Sequence, residues 1–183
     1  FAESWRTVHK VESLKRIWWS LPFLATGLIG FVSLASLLYE REFGLDERAR
    51  GIAAAIAEPF QLVGLVVGAR WITKRYAGNV AGLTKLGANV SLAAAVLAGG
   101  FALAPNIVVA VAINCVIAAS LALLAPAIFS ALSLAIPPRA RATGFSVASL
   151  WIIPGLFVLP VIGWVADKFS IRVGMLVMIP LFI

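Results

Sequence analysis

Residues 107–136 read IVVAVAINCVIAASLALLAPAIFSALSLAI, without one Asp, Glu, Lys or Arg. A helix of about 20 apolar residues suffices to cross the hydrocarbon core of a bilayer. Similar runs occupy residues 17–38, 51–69, 86–104 and 145–166, and a shorter one starts near Val173. Backbone polar groups in lipid must be satisfied internally, and these runs lack the alternation of barrel strands. The sequence therefore predicts an all-α polytopic membrane bundle of about six transmembrane helices.

The composition excludes an ordinary soluble domain and offers no catalytic machinery. Hydrophobic residues make up 62% of the chain and charged residues 13%, far from soluble averages. The single histidine, His9, falls outside the apolar runs, and the single cysteine, Cys115, falls inside one, so neither a paired metal site nor a disulfide is available. No phosphate-binding GxxxxGK[ST] motif is present. We expect no enzyme, no metal and no cofactor.

Charged residues concentrate in alternate connections between the runs. The segments 1–16, 70–85 and 137–144 hold ten Lys and Arg against two acids. The segments 39–50, 105–106 and 167–172 hold five against five. Because cytoplasmic loops carry the excess of Lys and Arg, the first set is expected on the cytoplasmic side. This predicts an integral protein of a bacterial plasma membrane with both ends cytoplasmic, and the net charge of +7 needs no nucleic-acid partner.

The chain divides into two predicted parts. Residues 1–16 read FAESWRTVHKVESLKR, in which Trp5, Val8 and Val11 recur at helical spacing. This favours an amphipathic segment on the cytoplasmic face. Residues 17–183 form the transmembrane half-domain, whose last helix we expect to be incomplete because its apolar run is too short to span.

Glu58 is the one charge inside an apolar run. It lies about 10 Å from one end of the second run and about 16 Å from the other, at 1.5 Å per residue. A charge at the centre of a membrane helix costs about 2.5–3.5 kcal/mol. The acid could carry a proton, pair with a cation outside this chain, or face a water-filled cavity. It is a candidate proton or cation site, although a structural acid bonded across helices is nearly as well supported.

Three polar residues are secondary candidates for lining a cavity. Gln61 shares the helical face of Glu58, Asn114 lies in the fourth run and Thr26 in the first. Small and hydroxyl residues in membrane helices more often pack against another helix, and that alternative stays open for each. Prolines in the second, fourth and fifth runs predict bent helices around a cavity; they are Pro59, Pro126, Pro154 and Pro160.

Two segments carry a family resemblance. Residues 133–175 read SLAIPPRARATGFSVASLWIIPGLFVLPVIGWVADKFSIRVGM, a Pro/Arg-rich turn followed by a Gly/Pro-rich helix that ends in G-x-x-x-D. Residues 68–76 read GARWITKRY, with Thr73 where an acid would align. Both resemble cytoplasmic-side motifs of the major facilitator superfamily, the second as a degenerate copy of its G-x-x-x-D-R-x-G gating motif.

This resemblance implies the C-terminal six-helix half of a twelve-helix transporter, helices seven to twelve. Its implied partners are the lipid bilayer, a small-molecule substrate and the N-terminal half of the same transporter. The implied gating-loop residues are Gly68, Thr73, Lys74, Arg75, Arg139 and Arg141.

The expected function is secondary active transport of a small lipophilic or amphipathic solute by alternating access, with possible proton coupling. A six-helix membrane subunit that binds a small ligand or partners an ATPase is the alternative. A membrane scaffold without transport is a third class, in which Glu58 would be replaceable.

Overall fold

The apolar runs form long helices. A computed structural model describes residues 12–76 and 78–182, and every regular element in this part of the chain is a helix. The α-helices are α1 (Glu12–Arg41), α2 (Glu47–Arg75), α3 (Val80–Ala102), α4 (Ile107–Ala135), α5 (Arg141–Leu156), α6 (Leu159–Lys168) and α7 (Ile171–Met178). Short 3₁₀ turns occupy Pro138–Ala140 and Ile179–Phe182. The predicted all-α membrane helix bundle is confirmed.

Within the described residues, five helical stretches are long and apolar enough to cross a membrane. They are α1 from Ile17 onward, α2, α3, α4, and α5 with α6 taken together. α7 and the turn after it form a shorter apolar segment. The expected amphipathic segment falls largely on residues 1–11, outside the described residues, and from Glu12 the chain is continuous with α1.

Polar residues with short side chains fix where four helices begin. Asp46, Asn79 and Asn106 each accept a hydrogen bond from the backbone N–H three residues on, at 2.8, 2.8 and 3.0 Å. Ser170 does the same for α7 at 3.2 Å. Each satisfies one of the N–H groups that a helix start leaves without an intrahelical partner. Both α2 and α4 therefore begin at a capped residue, Asp46 and Asn106.

α2 and α4 approach each other closely through two glycines of α2. Gly64 is buried, and a Cβ there would lie 2.1 Å from the Ala119 carbonyl oxygen. One turn later, a Cβ on Gly68 would lie 2.8 Å from Leu123 Cγ. Gly64 meets Ala119 and Gly68 meets Leu123, so residue numbers increase in the same direction along both helices. The two helices therefore run parallel. The GxxxG spacing therefore acts as a packing surface that lets two backbones approach.

The fifth span is broken in its middle. α5 ends at Leu156 and α6 begins at Leu159, between Pro154 and Pro160, neither of which can donate a backbone hydrogen bond. α5 packs chiefly on α1 and α6 chiefly on α7. By contrast, α2 and α4 continue through Pro59 and Pro126.

Three connections have charges that sum to zero, and they lie close together at one end of the bundle. They are residues 39–50, 105–106 and 167–172. Arg41 pairs with Asp167 at 2.9 Å, Arg50 with Glu40 at 2.5 Å, and Arg172 with Glu42 at 2.9 Å. These pairs join the end of α1 to α2, α6 and α7. Exposed pairs contribute at most about 1 kcal/mol each, so these contacts hold the helix ends together only weakly.

The α2–α4 contact makes a prediction about Gly64. Gly64→Ala should destabilise the protein by about 1–3 kcal/mol, because its methyl group would overlap a backbone atom that cannot move alone. Gly163→Ala in α6 is the control, since a Cβ at Gly163 meets nothing within 4 Å and alanine favours the helix. Thermal unfolding of the purified protein in detergent measures both. Equal melting temperatures for the two variants would contradict the contact.

Candidate functional site: a polar cavity between α1, α2 and α4

A cavity of about 750 Å³ lies between α1, α2 and α4. Each helix contributes one face, with lining residues three or four positions apart. α2 contributes Glu47, Arg50, Ala54, Ala57, Glu58 and Gln61. α1 contributes Phe31, Val32, Ala35, Ser36 and Tyr39, and α4 contributes Asn114, Ile117, Ala118, Leu121 and Ala122. The volume is within the range of small-molecule sites, roughly 300–1,000 Å³.

The cavity brings together three of the four polar residues singled out from the sequence. Glu58 and Gln61 are exposed to it from α2, and Asn114, half-buried, lines it from α4. The three side chains supply a carboxyl group and two amides among mostly apolar neighbours. Such a set can bind a cation, exchange a proton and orient a polar group by hydrogen bonds.

The parallel register of α2 and α4 sets Asn114 at the depth of Glu58. Cys115, the residue after Asn114, donates a weak hydrogen bond from its thiol to the Ile56 carbonyl at 3.9 Å. Ile56 lies two residues before Glu58 on α2. Pro59 follows Glu58 directly and removes the N–H that would bond the Ala55 carbonyl. The Ala55 carbonyl, which lacks its helical N–H partner, therefore lies near the level of the polar side chains of Glu58 and Asn114.

Thr26 does not join this cavity. It is completely buried, and its hydroxyl lies 2.8 Å from the Pro22 carbonyl and 2.5 Å from the Gly155 carbonyl. A Cβ on Gly155 would lie 2.1 Å from the Pro22 oxygen, so α1 and α5 touch there. The geometry of Thr26 is that of a helix-packing residue at the break in the fifth span.

Three residues near the end of the cavity were placed in a connection by the sequence. Residues 39–50 contain Tyr39, Glu47 and Arg50, yet Tyr39 belongs to α1 and the other two to the first turn of α2. All three line the cavity. Ala54 and Arg50 lie four and eight residues before Glu58. This helical spacing in the sequence already placed Arg50 on the same face of α2 as Glu58. The sequence places the nearest cation in a loop, whereas Arg50 shares the cavity with Glu58.

The residues that the family resemblance assigns to a gating loop are largely helical. α2 continues to Arg75, so Gly68, Thr73, Lys74 and Arg75 occupy its last turns, and the connection is confined to residues 76–79. Gly68 is buried against Leu123 and Thr73 bonds the Ala69 carbonyl at 2.9 Å. Arg139 lies in the turn Pro138–Ala140, and Arg141 begins α5. Lys74, Arg75 and Arg141 form no ion pair with a described residue.

A second cavity, of about 570 Å³, lies between α1, α3 and α4 and the turn after α7. Its lining is apolar apart from Ser20, Thr84 and Ser91, and none of the described residues that line it is ionisable. Without a charged or acid–base group it can offer little beyond hydrophobic contact. The cavity with Glu58 is therefore the candidate functional site.

The fold and this cavity define the protein as an integral membrane protein, an all-α bundle with a polar cavity among its spans. No protein-family model matches the chain, and neither a curated protein nor a solved structure matches it. The cavity and its chemistry therefore carry the functional argument.

The placement of Gln61 and Thr26 predicts opposite reactivity towards a water-soluble maleimide. In a Cys115→Ala background, Gln61→Cys should be labelled because its side chain faces the cavity, and Thr26→Cys should not because it is enclosed between α1 and α5. Mass spectrometry of protein labelled in native membranes measures both. Protection of Gln61→Cys in membranes together with labelling after unfolding would contradict an aqueous cavity.

Proposed function

We propose that this protein is a secondary active transporter that moves a small lipophilic or amphipathic solute by alternating access, with proton coupling. The observation that carries this proposal is a cavity of about 750 Å³ that holds Glu58, Gln61 and Asn114 and is lined by three helices long and apolar enough to cross a membrane. Binding sites at the midplane, between helical units, are a general feature of secondary transporters. The apolar majority of the lining suits a solute with a hydrophobic body.

Glu58 is the proposed coupling site. In the described part of the chain it forms no ion pair, so a change in its protonation is not opposed by a fixed cation in contact with it. Ionisable residues within membrane spans usually face a cavity and mark ion pathways or proton relays. Glu58 would alternate between a protonated and an ionised form as the cavity opens to each side.

A second helical unit is the proposed partner on the open side of this cavity. Only 17% of the most apolar window of α2 is buried. Apolar side chains alternate there with the exposed Glu58 and Gln61; they include Ile52, Ile56, Phe60, Leu62, Val63 and Val66. If lipid alone covered this face, it would surround the carboxyl group of Glu58. Transfer of that group from water into lipid has a high free-energy cost. A helical half of the same transporter would cover the apolar side chains and enclose the polar ones.

We further propose that the chain is the C-terminal six-helix half of a major facilitator transporter in a bacterial plasma membrane. What supports this is the resemblance of residues 68–76 and 133–175 to motifs of that family, together with five long apolar helices and one shorter one. The charge distribution supports cytoplasmic chain ends, because the connection 76–79 and the turn before α5 lie beside the cationic residues Lys74, Arg75 and Arg141.

Proton coupling through Glu58 is tested by transport into proteoliposomes that contain the full-length transporter. Glu58→Gln should abolish solute accumulation driven by a proton gradient while exchange of solute at equal pH continues, because the amide preserves the shape and cannot exchange a proton. Glu47→Gln is the matched control, since Glu47 lines the same cavity at its end and should retain coupling.

Unchanged accumulation by Glu58→Gln would exclude the coupling role. Solute binding without any transport by the wild-type protein would instead favour the alternative, a membrane subunit that binds a small ligand or partners an ATPase.

A further inference from the structure

Four cationic side chains at one end of the bundle have no acidic partner. Arg70, Lys74 and Arg75 lie in the last turns of α2, and Lys85 lies in the second turn of α3. All four are exposed, and none forms an ion pair or a side-chain hydrogen bond with a described residue. Residues 70–85 contain no Asp or Glu. The opposite end differs, because three ion pairs there neutralise cations within the protein.

The end of α2 and the start of α3 lie side by side. Tyr76 follows the last residue of α2, and a Cβ on Gly82 of α3 would lie 2.7 Å from the Tyr76 ring atom Cδ1. Arg75 directly precedes Tyr76, and Lys85 lies three residues beyond Gly82. Packing that does not involve their charges therefore brings these two cations to one part of the surface.

The helix dipoles explain only part of this positive charge. The carbonyl end of α2 favours cations, so it accounts for Lys74 and Arg75. α3 begins at the same end of the bundle, and its first turn contains no acid. Its N–H groups therefore add positive charge instead of removing it. The dipole of α3 gives no reason for a cation at Lys85, and the excess charge of this end attracts an anion.

Lys85 lies at one end of an apolar stripe on the outer face of α3. Leu92 and Val96 follow it by seven and eleven residues, which places all three on one face of the helix. The two apolar side chains are 50% and 70% exposed. At 1.5 Å per residue, they lie about 10 and 16 Å along the helix from Lys85. A cation at the end of an exposed apolar stripe matches a molecule with an anionic head and a hydrocarbon tail.

Neighbouring aromatic rings place these cations at the level of lipid headgroups. Trp71 lies between Arg70 and Lys74 and is 43% exposed, and its ring meets Tyr76 edge-on with centroids 6.0 Å apart. Trp and Tyr are enriched where a membrane protein passes from lipid to water. Long cationic side chains also extend towards that level, where the phosphates of the bilayer lie.

We propose that Arg75 and Lys85 bind the phosphate of an anionic phospholipid, whose acyl chain lies along Leu92 and Val96. Arg70 and Lys74 add positive charge beside this site. A headgroup with net negative charge is required, because each Lys or Arg near an anionic surface strengthens binding about fivefold. This binding does not depend on the proposed transport function.

Native mass spectrometry of the full-length protein tests the proposal, after removal of lipid in detergent and titration with one lipid at a time. The probes are phosphatidylglycerol and phosphatidylcholine with identical acyl chains; both contain a phosphate, and only the first has net negative charge. Phosphatidylglycerol should bind at least about tenfold more tightly. Added salt should weaken the binding of phosphatidylglycerol alone, because salt screens exposed charges.

Replacement of both cations isolates the site. Arg75→Gln combined with Lys85→Gln should lower the affinity for phosphatidylglycerol about 10- to 30-fold and leave that for phosphatidylcholine unchanged. Arg48→Gln combined with Lys168→Gln is the matched control, because both are exposed cations without an ion pair at the opposite end of the bundle. The control should leave both affinities unchanged. Equal melting temperatures of the two double variants check that both are folded.

The water-soluble headgroup glycerophosphoglycerol separates a lipid site from a site for free phosphate esters. At a concentration equal to that of phosphatidylglycerol it should not displace the lipid, because it has no hydrocarbon chain for the stripe on α3. Displacement would overturn the lipid assignment. Equal affinities of the wild-type protein for the two lipids would also overturn it, and would favour an acidic protein segment as the partner of these cations. An equal loss of phosphatidylglycerol binding in both double variants would overturn the assignment to Arg75 and Lys85.

Discussion

The close contact between α2 and α4 is the constraint on which the rest of the site depends. Gly64 allows the Ala119 carbonyl to approach to a distance that excludes a side chain. The two helices stay together two turns earlier, where the Cys115 thiol reaches the Ile56 carbonyl at 3.9 Å, so the cavity is bounded by α2, α4 and α1. Glu58, Gln61 and Asn114 line this cavity. The packing at Gly64 and Gly68 therefore fixes the register that brings the polar residues of α2 and α4 to the same level.

The site combines groups that differ in how strongly the bundle constrains them. Tyr39 is fixed by aromatic packing against Phe101, and Arg50 by its pairing with Glu40. Glu58 is exposed and has no ion pair within the described residues. A site that must bind and release a ligand needs both kinds of group, because fixed groups provide selectivity and an unpaired acid can change its charge. This arrangement is what we take as support for the proposed transport function.

Much of the fold follows from the apolar runs alone, since the cost of burying free backbone groups in lipid leaves helices as the only solution. The span ends were predicted less well: charged residues such as Arg50 and Lys74 were assigned to loops, although long side chains allow helices to continue past the apolar region. Glu58, Gln61 and Asn114 stand out as polar residues in apolar runs. Tyr39 does not, because its position in the cavity wall depends on packing against Phe101, which is distant in sequence. Thr26 has the same sequence signal as Asn114, and only the close approach of α1 and α5 distinguishes them.

The interrupted fifth span has a mechanical consequence. α5 packs chiefly on α1, and α6 packs chiefly on α7. The two halves of this span therefore have different main packing partners. The Gly155 carbonyl, beside the interruption, accepts hydrogen bonds from the Thr26 hydroxyl and from the Val158 N–H, which keeps the backbone satisfied there. Bending is easiest where the helical ladder is already broken. The two halves of the span therefore share no continuous helical ladder, and it is the ion pairs of Arg41 and Arg172 that tie α6 and α7 to the end of α1, the helix on which α5 packs.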